Sequence, residues 1–341
     1  MTRMTQQAVD NTRAAQHGER GATRAALLLA VVLATAACGA PGGRSGSRAA
    51  ASTRPAPTPL TKVADIDSEF RGLLVAYGQG GQAWEAVRER VIAAREAGDP
   101  RKEQFLIDNL VLEMVRAYQV GALRTVLRDD APFERAQAEV VRFGAAAVPM
   151  LAEMVAAEDG VLAFLGSATL RSIGRPALEP TLLLLDHERA EVRRRAAELL
   201  ADLPVPPADE ATVRARLAQV LQTDGAWIVR AQAVRGFGKR AAAAGRDAPG
   251  AAAARDLLER TLLDTDPAVS KEAIDAVGAL GDALSKDPLL ALWTRLERDH
   301  SQNLMGNHRD YLRRRDAIEK ALAAITGETQ RQSLEAWRRR S

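Results

Sequence analysis

Val192–Leu203 reads VRRRAAELLADL, Val229–Arg240 reads VRAQAVRGFGKR and Val269–Leu280 reads VSKEAIDAVGAL. The three align without a gap. Val192, Val229 and Val269 coincide, as do Ala196, Ala233 and Ala273, and then Leu200, Phe237 and Val277. Steps of four residues place these positions on one stripe of an α-helix. The small residue in the middle of the stripe lets a neighbouring helix come close. One helix is therefore expected three times over. Its starts lie 37 and 40 residues apart, the period of helical solenoids built from pairs of helices.

Upstream, Leu162, Gly166, Leu170 and Ile173 repeat the stripe more weakly, and a further partial copy ends at Arg142-Phe143-Gly144. Each strong copy follows an acidic turn: Asp186 before HERAEVR, Asp224 before GAWIVR, and Asp264 with Asp266-Pro267 before AVS. Asp is a good N-cap and Pro suits the first helical turn. The preceding helices carry Pro149 and Pro180 at matching places, in GAAAVPMLAEMV and GRPALEPTLLLL. A kink is expected at each if the proline is interior. Composition agrees with an all-helical chain. Of 341 residues, 47% are hydrophobic but only 4% aromatic, and Ala, Leu and Val supply most of the apolar content, which favours close-packed helices over a sheet sandwich.

The acidic turn, the Val-Arg pair at Val192-Arg193 and Val229-Arg230, and the Gly-containing closing turn resemble the HEAT-repeat family, including its bacterial PBS-lyase-type members. The resemblance spans Asp129 to Gly327. It implies an all-α, right-handed α-solenoid of HEAT-like helix pairs with an N-terminal helical cap. It also implies a ladder in which the Arg after each Val pairs with a turn Asp. Ser270 takes that place in the third copy, so the ladder is expected to break there. The repeats are assigned to 129–326. Residues 61–128, with helices expected over Val63–Tyr77, Gln82–Ala97 and Arg101–Tyr118, form the cap, since end repeats need a polar outer face. The tail 327–341 resembles a closing segment of such proteins through Thr326-Gly327 and Ala336-Trp337, with Trp337 plugging the end of the core.

The N-terminus carries an address. Ala25–Ala37 is a 13-residue apolar run after Arg24, too short to span a bilayer and of signal-peptide length. Cys38, the one cysteine, follows at once. Ala36-Ala37-Cys38 resembles the lipobox of bacterial lipoproteins, although Thr35 stands where Leu is usual. The resemblance implies a signal peptide over 1–37 and lipidation of Cys38. Simple secretion with a cut after Ala36 is the competing reading. Residues 39–60 are rich in Gly, Ser, Ala and Pro and cannot bury enough surface to fold, which makes 38–60 a lipidated tether with a reach of roughly 25 Å. Gly39 after the cysteine, by resemblance to sorting rules, points to the outer membrane.

Net charge is +3. Residues 1–37 hold four arginines against Asp10 and Glu19, so the remainder has 43 basic and 42 acidic residues, and a nucleic-acid partner is not expected. A single Cys excludes a disulfide framework. His187, His300 and His308 match no metal-ligand spacing. No Ser lies in a GxSxG elbow, and the Gly-rich stretches lack a phosphate loop's Lys-Ser/Thr. Neither cofactor nor catalysis is expected. In the HEAT family the second helix of each pair lines the concave side. The candidate partner-binding residues are therefore Arg194, Arg195 and Glu198, then Gln232 and Arg235, then Lys271, Glu272 and Asp275, for an unknown protein of the cell envelope. The leading expectation is a membrane-tethered scaffold. An enzyme or enzyme-accessory role of the bilin-lyase kind, or a structural envelope component, stays open beside it.

Overall fold

The structure is a computed structural model that describes residues 68–123, 130–302, 307–328 and 334–339. The signal segment, Cys38 and the tether lie outside the described residues. Every regular element among the described residues is helical. No helix there is long and apolar enough to cross a membrane. The chain divides into two compact units, one ending at Ala157 and the other beginning at Glu158.

The first unit holds α1 (Ser68–Gln79), α2 (Gly81–Glu96), α3 (Arg101–Leu123), α4 (Ala131–Arg142) and α5 (Val148–Ala156). Helix α3 is its spine, and α1, α2 and α4 all pack on it. Leu106, Ile107, Leu110, Val111, Met114 and Val115 fall at helical spacing along α3 and are fully buried. Tyr77 and Trp84 meet edge to face at 5.2 Å. Two carboxylates are buried with them. Glu139 accepts from Arg88 at 3.1 Å and from Arg142 at 3.0 Å. Burial pushes the Glu103 carboxyl up despite Arg95 at 3.0 Å.

The second unit runs through α6 (Gly160–Ile173), α7 (Leu178–Leu184), α8 (Ala190–Asp202), α9 (Pro207–Thr223), α10 (Trp227–Ala244), α11 (Ala251–Thr261), α12 (Pro267–Leu280), α13 (Lys286–Ser301), α14 (His308–Thr326) and α15 (Leu334–Arg338). The even-numbered helices α6, α8, α10, α12 and α14 pack side by side in that order. On them lie α7, α9, α11 and α13, each against the even helix that follows it. The result is a two-layered, solenoid-like stack of helix pairs. The expected stripe is its seam: Val192, Ala196, Leu200, Val229, Ala233, Val269, Ala273 and Val277 are all fully buried, and Phe237 nearly so. Neighbouring even helices approach to backbone distance at two glycines. A Cβ on Gly238 would lie 2.3 Å from the Ala276 Cβ, and one on Gly278 would lie 2.8 Å from the Ala321 Cα.

Local chemistry departs from expectation at the turns. Asp266 does cap α12, accepting from the Ala268 N–H at 2.8 Å, and Asp159 caps α6. Asp224 and Asp264 are not caps. Each accepts from the N–H two residues on, Ala226 at 2.9 Å and Asp266 at 2.8 Å, and so folds the turn back while its other lone pairs stay available to an arginine. Pro149 and Pro180 do not kink a helix interior. Each lies in the first turn of its α-helix, after a short 3₁₀ turn at Gly144–Ala146 or Arg175–Ala177, where a missing N–H costs nothing. Trp337 in α15 is 2% exposed, and α15 packs on α13.

Candidate partner-binding face

The second helices of the pairs are the even-numbered ones, so the candidate residues share one layer. Arg194, Arg195 and Glu198 stand on α8, Gln232 and Arg235 on α10, and Lys271, Glu272 and Asp275 on α12. The helix pitch that buries the Val-Ala-Leu stripe turns these positions away from the seam. They are half-buried or exposed, none fully buried.

Their charges are largely spent on one another. Arg194 donates to Glu191 and Glu198, both at 2.8 Å, and Arg195 reaches Glu191 at 3.2 Å. Arg235 crosses from α10 to α12 and grips Glu272 with two bonds of 3.0 Å. Lys271 pairs with Asp275 one turn on. Asp202 on α8 receives Lys239 from α10 and lies 3.8 Å from Arg171 of α6. The pKa shifts follow from this pairing. Burial would raise Glu272, yet Arg235 and Lys271 hold it below the ordinary carboxylate value. Glu191 is lowered chiefly by its bonds from Arg194. Such a surface has a fixed pattern of sign and little net field.

Behind it runs the arginine ladder. Arg193 clasps Asp224 at 2.7 and 3.0 Å and also donates to the His187 and Glu188 carbonyls. Arg230 clasps Asp264 at 3.0 Å twice and donates to the carbonyls of Asp224 and Gly225. Both carboxyls feel burial, which raises them, and both are nevertheless held low by the arginine and the turn N–H. The ladder stops at Ser270, buried and donating to the Leu262 carbonyl at 2.8 Å. Each arginine thus ties a turn of its own repeat to the turn that opens the next.

Two arginines that sequence reasoning passed over are prominent. Arg240 is 7% exposed. It donates to the Leu200 carbonyl at 2.7 Å, the Leu203 carbonyl at 2.6 Å and Glu210 at 2.6 Å, satisfying the open C-terminus of α8. The signal was present in the alignment, where Arg240 falls in the column of Leu203 and Leu280. The other is Arg314 on α14. Its Nε is sealed from solvent without a hydrogen-bond partner.

His300 stacks on Tyr311 at 4.2 Å, and His308 lies 4.9 Å from His300. Glu297 accepts from both the Tyr311 hydroxyl and the Trp293 indole. No group of three or more His, Cys, Asp or Glu side chains converges to hold a metal among the described residues.

Residues 214–303 match the HEAT-repeat family, a narrower stretch than the resemblance first covered. A comparison with curated proteins returns no match. Among solved structures, an engineered protein is similar at TM-score 0.35 and 15% identity, over 72% of this chain and 70% of its own. The karyopherin Kap121p bound to the SUMO protease Ulp1p is similar at TM-score 0.37 and 12% identity, over 75% of this chain and 28% of the karyopherin. Kap121p bound to the extreme C-terminus of the protein phosphatase Cdc14p gives 0.37 and 13%, over 79% and 31%. The chain spans less than a third of the karyopherin.

Proposed function

We propose that this chain is a lipid-anchored scaffold of the bacterial cell envelope, non-catalytic, which holds another protein on the even-helix layer of its stack. HEAT repeats, found here over residues 214–303, generally bind proteins. The observation that carries the reading is that layer itself: five helices side by side, with the charged groups of α8, α10 and α12 fixed by mutual bonds such as Arg235–Glu272. A patterned surface held rigid before contact loses little entropy on binding. Commitment of the same carboxylates to arginines keeps them from the perturbed, unpaired state that acid–base work requires. The tether reading rests on Ala25–Ala37 followed by Cys38.

Crosslinking and affinity capture in the native host, with wild type and Cys38→Ala compared by mass spectrometry, test it. One envelope protein recovered with the wild type and lost with Cys38→Ala is the expected result. No protein enriched with either form overturns the scaffold, and equal membrane association of the two forms overturns the anchor.

A further inference from the structure

Along the even-helix layer the cations have partners, and at α14 that pattern fails. Arg171, Arg194, Arg195, Arg235, Lys239 and Lys271 are each in ion-pair contact with a carboxylate. Arg314 is different. No carboxylate of a described residue is in ion-pair contact with it, and its Nε, like those of Arg171 and Arg315, is shielded from water without a partner. Asp310 and Asp299 act on it through space alone, and burial holds its pKa below the ordinary guanidinium value.

The register of the stack shows how unusual that place is. Gly238 abuts Ala276, and Gly278 abuts Ala321. Gly238 and Gly278 are equivalent in the alignment that superposes Val229 on Val269, so Ala276 and Ala321 are equivalent too. Carried back along α14, this puts Leu322 and Ile318 in the places of Val277 and Ala273, all four fully buried. Arg314 then falls in the place of Val192, Val229 and Val269. A half-buried arginine stands at a position that three preceding copies fill with a fully buried valine. An unpaired charge there works against folding, and residues that violate the local rule without compensation mark functional sites.

Arg314 opens onto a groove of about 550 Å³ between α12 and α14, a volume suited to ligands. Pro267, Ala268 and Ala317 give it apolar patches. Of its charged lining, Lys271, Glu272 and Asp275 are bound to each other and to Arg235, and Asp316 faces Arg315 at 3.6 Å. The lining as a whole is balanced, four cations against four carboxylates, but with those pairs set aside Arg313, Arg314 and Lys320 face Asp310 alone. The interspersed carboxylates disfavour a continuous polyanion such as a nucleic acid. A peptide can bring one carboxylate to the guanidinium fork, which matches it with two parallel bonds, and lay its apolar residues on the groove walls.

We propose that the α12–α14 groove docks an acidic segment of a partner protein, with a carboxylate of that segment closing on Arg314 and with Arg313 and Lys320 supplying the surrounding positive field. This rests on the scaffold reading above and adds the chemistry of the partner.

The test is fluorescence anisotropy on the full chain in detergent, with a labelled peptide alternating Glu and Ala as probe and the Gln–Ala and Lys–Ala peptides beside it. The Glu peptide is expected to bind at least about 10-fold more tightly than the Gln peptide, as a charge-assisted bidentate contact should. Arg314→Leu is expected to remove that advantage while leaving the melting temperature unchanged or higher, because a purely structural arginine would lower it. Arg314→Lys keeps the charge without the fork and is expected to lose several-fold; Arg313→Gln and Lys320→Gln, at the rim, are expected to lose about 2–5-fold each. Equal affinity for the Glu and Gln peptides overturns the groove assignment even where crosslinking has recovered an envelope partner. So does an Arg314→Lys or Arg314→Leu chain that keeps full affinity. Selective peptide binding without any recovered partner upholds the groove and removes the scaffold reading instead.

Discussion

Replacing Gly238 by Ala tests the packing of the even layer at its tightest point. The new Cβ would lie 2.3 Å from the Ala276 Cβ and 3.2 Å from its Cα. Carbon atoms prefer roughly 3.5–4.0 Å, so α10 and α12 must part by more than about 1 Å along a seam that holds Val229, Ala233, Val269 and Ala273. Overpacking of this kind costs about 1–3 kcal/mol, and alanine's better helix propensity returns up to about 1 kcal/mol. The expected net loss is about 1–2 kcal/mol, read as a lower urea midpoint by far-UV circular dichroism. Ala276→Gly in the same chain moves the Cβ from one helix to the other. The double variant should recover most of the loss, with a coupling of about 1–2 kcal/mol. A Gly238→Ala chain as stable as the wild type, with no coupling to Ala276→Gly, would falsify the close approach of the two helices.

Further outcomes concern the ladder, the buried arginines and the carboxylates with shifted pKa values. Asp264→Asn leaves Arg230 partly buried without its clasp; since both side chains keep about 14–15% exposure, the loss should be about 2 kcal/mol, below the 3–5 of a fully buried broken pair, and Ser270→Ala about 1 kcal/mol in the same denaturation assay. Arg240→Leu restores the apolar residue of the other copies yet strands the Leu200 and Leu203 carbonyls, so it should destabilise by about 2 kcal/mol, whereas Arg314→Leu leaves stability unchanged or higher; equal effects from the two would contradict the distinction drawn between them. Asp224, Asp264, Glu272, Glu191 and Asp282 all have folded pKa values below the ordinary ones. Their contribution is therefore present above the unfolded value near about 4 and lost as pH falls through it towards the lower folded values. Urea midpoints of the second unit should be level from about pH 7 to 5 and drop below about pH 4.5, less so in Asp224→Asn. Glu103, raised by burial, gives the opposite slope in the first unit.

The stripe was legible because burial and helical periodicity act on the same residues. Val192, Ala196 and Leu200 recur at i, i+4 and i+8, and nothing but a buried helical seam favours that pattern three times. The break at Ser270 was legible for another reason: the resemblance to HEAT repeats implies an arginine in that column, and the third copy has a serine there. The caps were not. Asp224 and Asp264 have the residue type and the spacing of N-caps, but an arginine one repeat earlier competes for their oxygens, and that partner is distant in sequence. The α14 copy escaped notice because Arg314 stands where the pattern demands an apolar residue and because its spacing from α12 is longer. Register in the sequence alignment sufficed to bring Arg194, Arg235 and Lys271 onto one layer of helices, where the structure has them. Sequence gave no sign that Arg235 would hold Glu272 across two helices, because which charges pair depends on how the helices are staggered.

If the even-helix layer is the surface that meets another protein, a photo-crosslinking amino acid placed in living cells at Lys271 or Arg235, on that layer, should capture a partner that one at Leu183, an exposed apolar position on α7, does not. One protein crosslinked from Lys271 and Arg235 and absent from Leu183 is the expected result, its yield falling when Arg314→Leu is added. Crosslinks from Leu183 alone, or none from the even layer, would contradict the reading.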